Sequence, residues 1–376
     1  MEDRYLGSIS RRDLLRGGLA FGVLTGLGGP RPAYAQALTG AVPAVDSLAV
    51  RVVTDSYHHL FDRSLKIGDL TVQRFGFSLA VDRPPRKALQ SEWGLSLHLE
   101  SKRGAETRNV LIDFGFTPEA LNNNLELLGI DPARLDALVL SHGHFDHFGG
   151  MAGFLARHKA RLKPGLPFYL GGEECFCTRE IGPADAARNY GALDRQAIAD
   201  AGLQTLYAER PSLIAEHGFT TGTIGRLSFE RVINPTRMKP GMADGVGCKP
   251  ESLAEAKRNQ ALIPDDFDHE QATCFHVKGR GLVVMTSCGH RGVINSVRRA
   301  IAASGVSKVH AVLGGFHLAP HPPEYLRETV AAFKELDPDF VIPMHCSGEP
   351  FIEIAARELG PKLVRSSTGS RYLFGA

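Results

Sequence analysis

The chain carries almost no excess charge. Its 43 Lys and Arg stand against 41 Asp and Glu, a net of +2 over 376 residues. The first 35 residues hold an equal excess of arginine over acid, so the rest is close to neutral. That balance argues against a basic stripe for nucleic acid and against a membrane-surface patch. Long apolar runs are also missing. The stretch 17–29 is glycine-rich and too short to cross a bilayer comfortably, and no later run is longer, so a soluble mature chain is expected. There are six cysteines, but they are widely spread, and a chain of this length does not depend on covalent staples. Cys175 and Cys177 are too close in sequence to bridge each other, and no disulfide is expected. The single tryptophan, Trp93, precedes a strand-like segment and reads as packing. No internal repeat or low-complexity segment is visible.

What the chain does have is the run Ser141-His142-Gly143-His144-Phe145-Asp146-His147, led in by the apolar residues 135–140 and followed by Gly149-Gly150. In extended backbone, residues two apart face the same way. His142 and His144 can therefore hold one ion together, while Asp146 and His147, past the bend, reach a second. Neutral imidazoles with a carboxylate suit zinc, iron or manganese.

Residues 1–35 read as an export signal. Ser10-Arg11-Arg12-Asp13-Leu14-Leu15 resembles the twin-arginine pattern, the mildly apolar stretch follows, and Ala33-Tyr34-Ala35 offers a small-x-small cleavage site. The expected mature domain is 36–376, in the periplasm or outside the cell, with the export machinery as partner and no stable membrane insertion after cleavage. Within it, strands are expected at 48–54, 79–81, 95–100, 110–113, 137–140 and 167–170, with helices at 119–128 and 148–158. Gly129 is placed to end the first helix. An insertion is expected at about 171–265, with one strand at 227–232; it serves either as a lid or substrate wall, or as a surface elaboration. Beyond it the pattern is a hairpin at 273–277 and 282–286, then helix 292–303, strand 308–313, helix 323–335 and strand 339–343. This alternation calls for a sheet covered by helices.

The histidine run resembles the signature of the metallo-β-lactamase superfamily. Val110-Leu111-Ile112-Asp113 resembles the strand and turn before that family's metal loop. Ser287-Cys288-Gly289-His290-Arg291-Gly292, Gly314-Gly315-Phe316-His317 and Pro343-Met344-His345-Cys346-Ser347-Gly348 resemble its branch named after a dihydropterin-ribofuranosylaminobenzene-phosphate synthase. The resemblance covers about residues 70–376. It implies a four-layer αββα sandwich, two divalent ions (zinc first, iron or manganese as alternatives), and His345 as the last ligand of the second site. It also implies a histidine about twenty residues before a bridging aspartate. Here the aspartate position is Cys288, and counting back reaches His269. Either Cys288 bridges as a thiolate, or His290, two residues on, takes its place; one of His269, Cys288 and His290 then stands behind the ligands. His317 either meets substrate and gives a proton to the leaving group, or supports a ligand from behind.

The chemistry so implied is hydrolysis. Two cations share a water and bring its pKa toward neutrality, and Asp146 orients it for attack on a small-molecule ester, lactone, amide or phosphoester. Arg291, at a helix start, hints at an anionic group on the substrate, with a plain surface arginine as the alternative. Competing readings are the branch's synthase activity, which export disfavours, and a non-catalytic metal or ligand binder. A di-iron oxidoreductase fits less well, because such members carry Glu where this chain has His144.

Overall fold

The computed structural model describes residues 33–75, 87–233 and 236–375. The expected strand at 79–81 and all of the expected signal before residue 33 lie outside the described residues. Ala33–Tyr34, within the expected cleavage site, forms a short edge strand beside Leu206 and Tyr207.

Two sheets form the centre. The first has the order Ala33–Tyr34, Gln204–Tyr207, Pro167–Leu170, Ala137–Val139, Glu106–Ile112, Ser96–Arg103, Ser47–Thr54, Arg371–Phe374, Leu70–Gln73 and Leu65–Ile67. The second runs Ser212–Ile214, Gly218–Thr220, Thr273–Val277, Gly281–Thr286, Val309–Gly315 and Phe340–Met344, with Ala44–Val45 added beside Thr273–Val277. Val50, Val52, Leu97, Leu99 and Ile112 of the first sheet meet Phe275, Val283, Met285, Leu313 and Ile342 of the second in one buried cluster. The alternation of apolar residues along these strands is what permits this, since every second side chain points inward.

Helices close both outer faces. Pro118–Leu127 and Met151–His158 lay Leu121, Leu125, Phe154 and Leu155 on Leu111, Leu138 and Phe168. On the far side, Val293–Ser304, Pro323–Leu336 and Glu349–Leu359 bring Ile294, Val297, Val330, Phe333 and Phe351 onto Leu282, Val284, Val312 and Val341. The result is the expected αββα sandwich. Each sheet contains a parallel set, Glu106–Ile112 with Ala137–Val139, Pro167–Leu170 and Gln204–Tyr207 in one, Gly281–Thr286 with Val309–Gly315 and Phe340–Met344 in the other. Ligand sites in such folds gather at the carboxyl ends of parallel strands.

Four expectations need correction. The helix expected at 148–158 is two, Phe145–Phe148 and Met151–His158. Gly149 and Gly150 join them, and a Cβ on either would fall 2.2 Å from the carbonyl oxygen of Phe116 or Phe114, so only glycine allows this approach. Residues 227–232 form no strand. Their backbone and side chains serve a helix instead: Glu230 accepts the N–H groups of Ile294 and Asn295, and Leu227 donates its N–H to the Asn295 side chain at 2.6 Å. A disulfide is present, between Cys177 and Cys248. Trp93 is 53 % exposed rather than packed away.

The segment 171–265 divides. Gln204–Tyr207 joins the first sheet and Ser212–Ile214 with Gly218–Thr220 joins the second. Arg188–Asn189, Thr178–Ile181, Thr236–Lys239 and Ile263–Pro264 make a separate four-stranded sheet, and Gly241–Ala243 pairs with Val246–Cys248. The disulfide ties this last hairpin to the turn Glu173–Phe176 and spans 71 residues of sequence. By loop-closure entropy such a link contributes about 4 kcal/mol. The double variant Cys177→Ala with Cys248→Ala should therefore shift the denaturant midpoint strongly downward while leaving the folded far-ultraviolet spectrum unchanged; an unchanged midpoint would show that the link carries no stability.

Candidate metal centre

The strand ends converge. His142 follows Ala137–Val139, Cys288 and His290 follow Gly281–Thr286, His317 follows Val309–Gly315, and His345 follows Phe340–Met344. Potential ligand atoms of His142, His144 and His290 lie within 4.8 Å of one another. The same holds for Asp146, His147 and His345, for His142, His147 and Cys288, for Cys288, His290 and His317, and for Cys288, His345 and Cys346. Cys288 recurs in three of these groups and is the central atom of the cluster.

Asp113 organises the entry to this cluster. It is fully buried, directly after Glu106–Ile112, with a φ of 56°. Its carboxylate accepts the Ser141 N–H at 2.8 Å, the Ser141 hydroxyl at 2.7 Å and His147 Nδ1 at 2.8 Å. The His147 proton is thereby fixed on Nδ1, and Nε2 faces Cys288 Sγ at 3.2 Å. Because the Ser141 hydroxyl gives its proton to Asp113, its oxygen accepts from His142 Nδ1 at 2.9 Å. The lone pair of His142 is left on Nε2, a buried atom with no protein partner. His144 is set in the same way from another direction. Thr236 donates its hydroxyl to Asp265 at 3.2 Å and accepts from His144 Nε2 at 2.9 Å, which leaves Nδ1 as the basic atom.

His290 stacks on Phe267, ring centroids 3.9 Å apart and planes 4° from parallel. Its backbone N–H and that of Arg291 bind the buried Glu270 carboxylate at 2.9 and 2.7 Å. His317 lies 3.9 Å from His290, ring to ring, and neither ring has a hydrogen-bond partner at either nitrogen. His345 Nε2 is 3.2 Å from Asp146 Oδ2, and the other Asp146 oxygen is buried without a partner. His345 and His317 have φ of 50° and 47°, and Phe267 has 56°. Left-handed backbone at four such non-glycine residues, Asp113 included, is a cost borne by the surrounding structure and concentrates at working sites.

Burial pushes His142 and His290 well below the ordinary imidazole range, and their imidazole neighbours add to this. His144 falls to about 3, chiefly through burial. Burial alone would raise Asp146, but His147 and His345 hold it below the usual carboxylate range. Neutral, buried imidazoles with unused lone pairs beside an ionised carboxylate are what a divalent cation requires. Orphaned polar atoms in this number are costly unless something binds them.

His269 lies elsewhere. Its Nε2 accepts from Arg179 at 3.0 Å and its Nδ1 is 3.6 Å from Glu174. It is held by the network Arg179–Asp265, behind His144, and His290 occupies the place against His142 and His144. Gly171 allows this: a Cβ there would be 1.9 Å from the His269 carbonyl oxygen. Arg291 is not open to substrate. It is buried and spends its guanidinium on Asp268 at 2.6 Å and the carbonyls of Asp266 and Ile224. Three further residues complete the site: Cys346, which the sequence placed in the motif with His345, Trp93, which it read as packing, and Tyr190, which it did not single out. Cys346 lies 3.3 Å from Cys288, Sγ to Sγ, Tyr190 borders Asp146, and Trp93 packs 4.7 Å from the His345 ring. The phenol of Tyr190 is pushed up by burial and then by the Asp146 charge, so it remains a donor.

Two outcomes follow for metal loading. His144→Ala should lose at least one ion per chain, measured by elemental analysis, with the fold intact. Trp93, as the sole tryptophan, should lose emission when cobalt(II) is added to metal-depleted protein. Unchanged stoichiometry in the variant, together with a silent Trp93, would contradict the assignment of this cluster as a metal centre.

Comparison with known proteins agrees with the architecture. Residues 103–165, which span Asp113 and the whole histidine run, match the profile of the metallo-beta-lactamase superfamily. The chain is 26 % identical over 262 residues to the 7,8-dihydropterin-6-methyl-4-(beta-D-ribofuranosyl)-aminobenzene-5'-phosphate synthase of Methanocaldococcus jannaschii, covering 69 % of this chain and 82 % of that protein. It is also 26 % identical to an uncharacterized protein of the same organism, covering 72 % and 90 %. Among solved structures it resembles a metal-dependent hydrolase of the beta-lactamase superfamily, with a TM-score of 0.61 and 23 % identity over 86 % of this chain and 98 % of that one. The segment 103–165 thus resembles the metallo-beta-lactamase superfamily by its motif, and the αββα sandwich is the fold of the metal-dependent hydrolase it matches.

Proposed function

We propose that the chain is an exported metal-dependent hydrolase acting on an ester, lactone, amide or phosphoester. The observation that carries this reading is the convergence of buried, unpartnered ligand atoms from His142, Asp146, His290, His317 and His345 at one edge of the two sheets. Two divalent ions there, zinc first, would supply a Lewis acid and an activated water. Asp146, kept ionised and with one oxygen free, orients that water toward substrate. Tyr190, kept protonated beside Asp146, donates toward the oxygen on which charge develops. His317, half-exposed and with both ring nitrogens unpartnered, is the group best able to hand a proton to the leaving atom.

A cavity of about 690 Å3 adjoins His345 and is bounded in part by Asp55, Tyr57, Arg63, Arg74 and Arg365. Among the described residues the Arg74 guanidinium meets neutral oxygens, Ser370 Oγ and the Arg365 carbonyl, both at 2.6 Å, and its buried Nε has no partner there. This supports a substrate that bears an anionic group, with Arg74 in the role that Arg291 cannot fill. Arg74→Gln should raise KM roughly tenfold for an anionic ester and leave a neutral ester of the same leaving group unaffected, because a hydrogen bond to a charged group contributes about 1.5–3 kcal/mol. Equal effects on both esters would remove Arg74 from substrate binding. Failure of the metal-loaded wild-type protein to turn over any ester, lactone, amide or phosphoester would reject the hydrolase reading as a whole. The similarity to the archaeal synthase favours a second reading, a transferase that forms a dihydropterin-methyl-ribofuranosylaminobenzene phosphate. Formation of that product, without ester turnover, would select it.

Export is part of the proposal. The twin-arginine pattern at Arg11-Arg12 supports it, and so does the Cys177–Cys248 disulfide, since such bonds persist in oxidising compartments. Arg11→Lys with Arg12→Lys should retain the full-length precursor in the cytoplasm, seen by fractionation and mass. Normal processing of this double variant would assign the chain to another route.

A further inference from the structure

We infer that Cys346 is a metal ligand, and that it shares one ion with Cys288 and His345. The centre would then hold a pair of thiolates rather than the single one that Cys288 supplies. The inference rests on the proposed reading of the cluster as a metal centre. Its geometry is independent of the reaction.

Cys346 and Cys288 meet sulfur to sulfur at 3.3 Å, and both are buried. The ligand atoms of Cys288, His345 and Cys346 all fall within 4.8 Å of one another, so one ion can touch the three. Cys346 Sγ also accepts the backbone N–H of His317 at 3.2 Å. A donor aimed at the sulfur favours its anionic form. Room beside the sulfur is kept by Gly315, where a Cβ would come within 3.0 Å of Sγ.

The turn explains how neighbouring residues can serve one ion. In a strand, His345 and Cys346 would face opposite ways. Here Phe340–Met344 ends, and His345 takes a φ of 50° at the start of a short 3-10 turn, His345–Ser347. Both sides of that turn are fixed. Asp55 accepts the His345 N–H at 2.9 Å, and Ser347 accepts the Phe316 N–H at 3.1 Å and donates to the Met344 carbonyl at 2.7 Å. The left-handed residue turns both side chains to the cluster.

A pair of thiolates with imidazole and carboxylate is a soft donor set. It selects zinc or iron(II) over magnesium and manganese. Each thiol releases its proton to solvent as its sulfur–metal bond forms.

The test uses the whole protein loaded with cobalt(II), read by the near-ultraviolet thiolate-to-cobalt charge-transfer band. Cys346→Ser and Cys288→Ser should each lower the band by about half, one thiolate of two, and the double variant should abolish it. Cys274→Ser, a buried free thiol in the core between sheet and helices, should leave it unchanged. X-ray absorption of the wild-type zinc protein averages over both ions and should show two sulfur scatterers at about 2.3 Å per chain, about one per zinc, a result that does not depend on any variant folding. A full band in Cys346→Ser, or only about half a sulfur per zinc in the wild-type spectrum, overturns the inference while leaving the metal centre standing. Absence of bound cobalt in the wild-type protein overturns both. A Cys288–Cys346 disulfide found by thiol counting in the loaded protein overturns the inference alone.

Discussion

The buried carboxylate of Asp113 is the constraint on which the site depends. Three hydrogen bonds converge on it, from the Ser141 N–H, the Ser141 hydroxyl and His147 Nδ1. A carboxyl group in full burial is tolerated only when its oxygens are satisfied in this way. Its effect is directional. One group fixes the tautomer of His147 directly and that of His142 through Ser141, so two lone pairs are aimed before any ion arrives. Thr236 and Asp265 repeat the device for His144 from a different element. Pre-aimed ligands of this kind raise affinity because little ordering remains to be done on binding.

The sandwich explains why so many polar groups can be buried together. Parallel strands in both sheets end at the same edge, and each end releases a turn that need not satisfy a ladder. The apolar cluster between the sheets, with Phe275, Met285 and Leu313 against Val52, Leu97 and Ile112, fixes the spacing between these turns. The penalty for unpaired imidazoles is thus imposed by the packed cluster between the sheets. Relief comes from cations, which is the physical link between this fold and metal-dependent chemistry.

Much of this was legible in the sequence, because the signals were local. The H-x-H-x-D-H run, the alternation of strands and helices after residue 273 and the turn glycines each state a local geometry, and the architecture follows from their order. Three things were not legible, each for a physical reason. The family resemblance, by a count back from Cys288, offered His269 as a ligand; the turn after Gly281–Thr286 gives the cluster His290 instead, and Glu270 holds His290 in place. Residues 227–232 read as a strand, but Glu230 caps the helix Val293–Ser304 and the Leu227 N–H binds the Asn295 side chain, long-range bonds that no local pattern encodes. Cys346 follows His345 directly, and only the left-handed φ at His345 brings both to one side.

The segment 171–265 contributes to the site as well as to its surroundings. Thr236 orients His144, Tyr190 adjoins Asp146, and Arg179, fully buried, links Asp265 to His269 and to the carbonyls of Cys175 and Cys177. The Cys177–Cys248 bond fastens the same region next to Arg179. A removable surface elaboration would leave the ligands unchanged when deleted. Here deletion would free the His144 ring by removing Thr236 and Asp265, and would take Tyr190 from beside Asp146. The segment therefore acts as a wall of the metal centre, and the disulfide stabilises the part of that wall that orients His144 from behind.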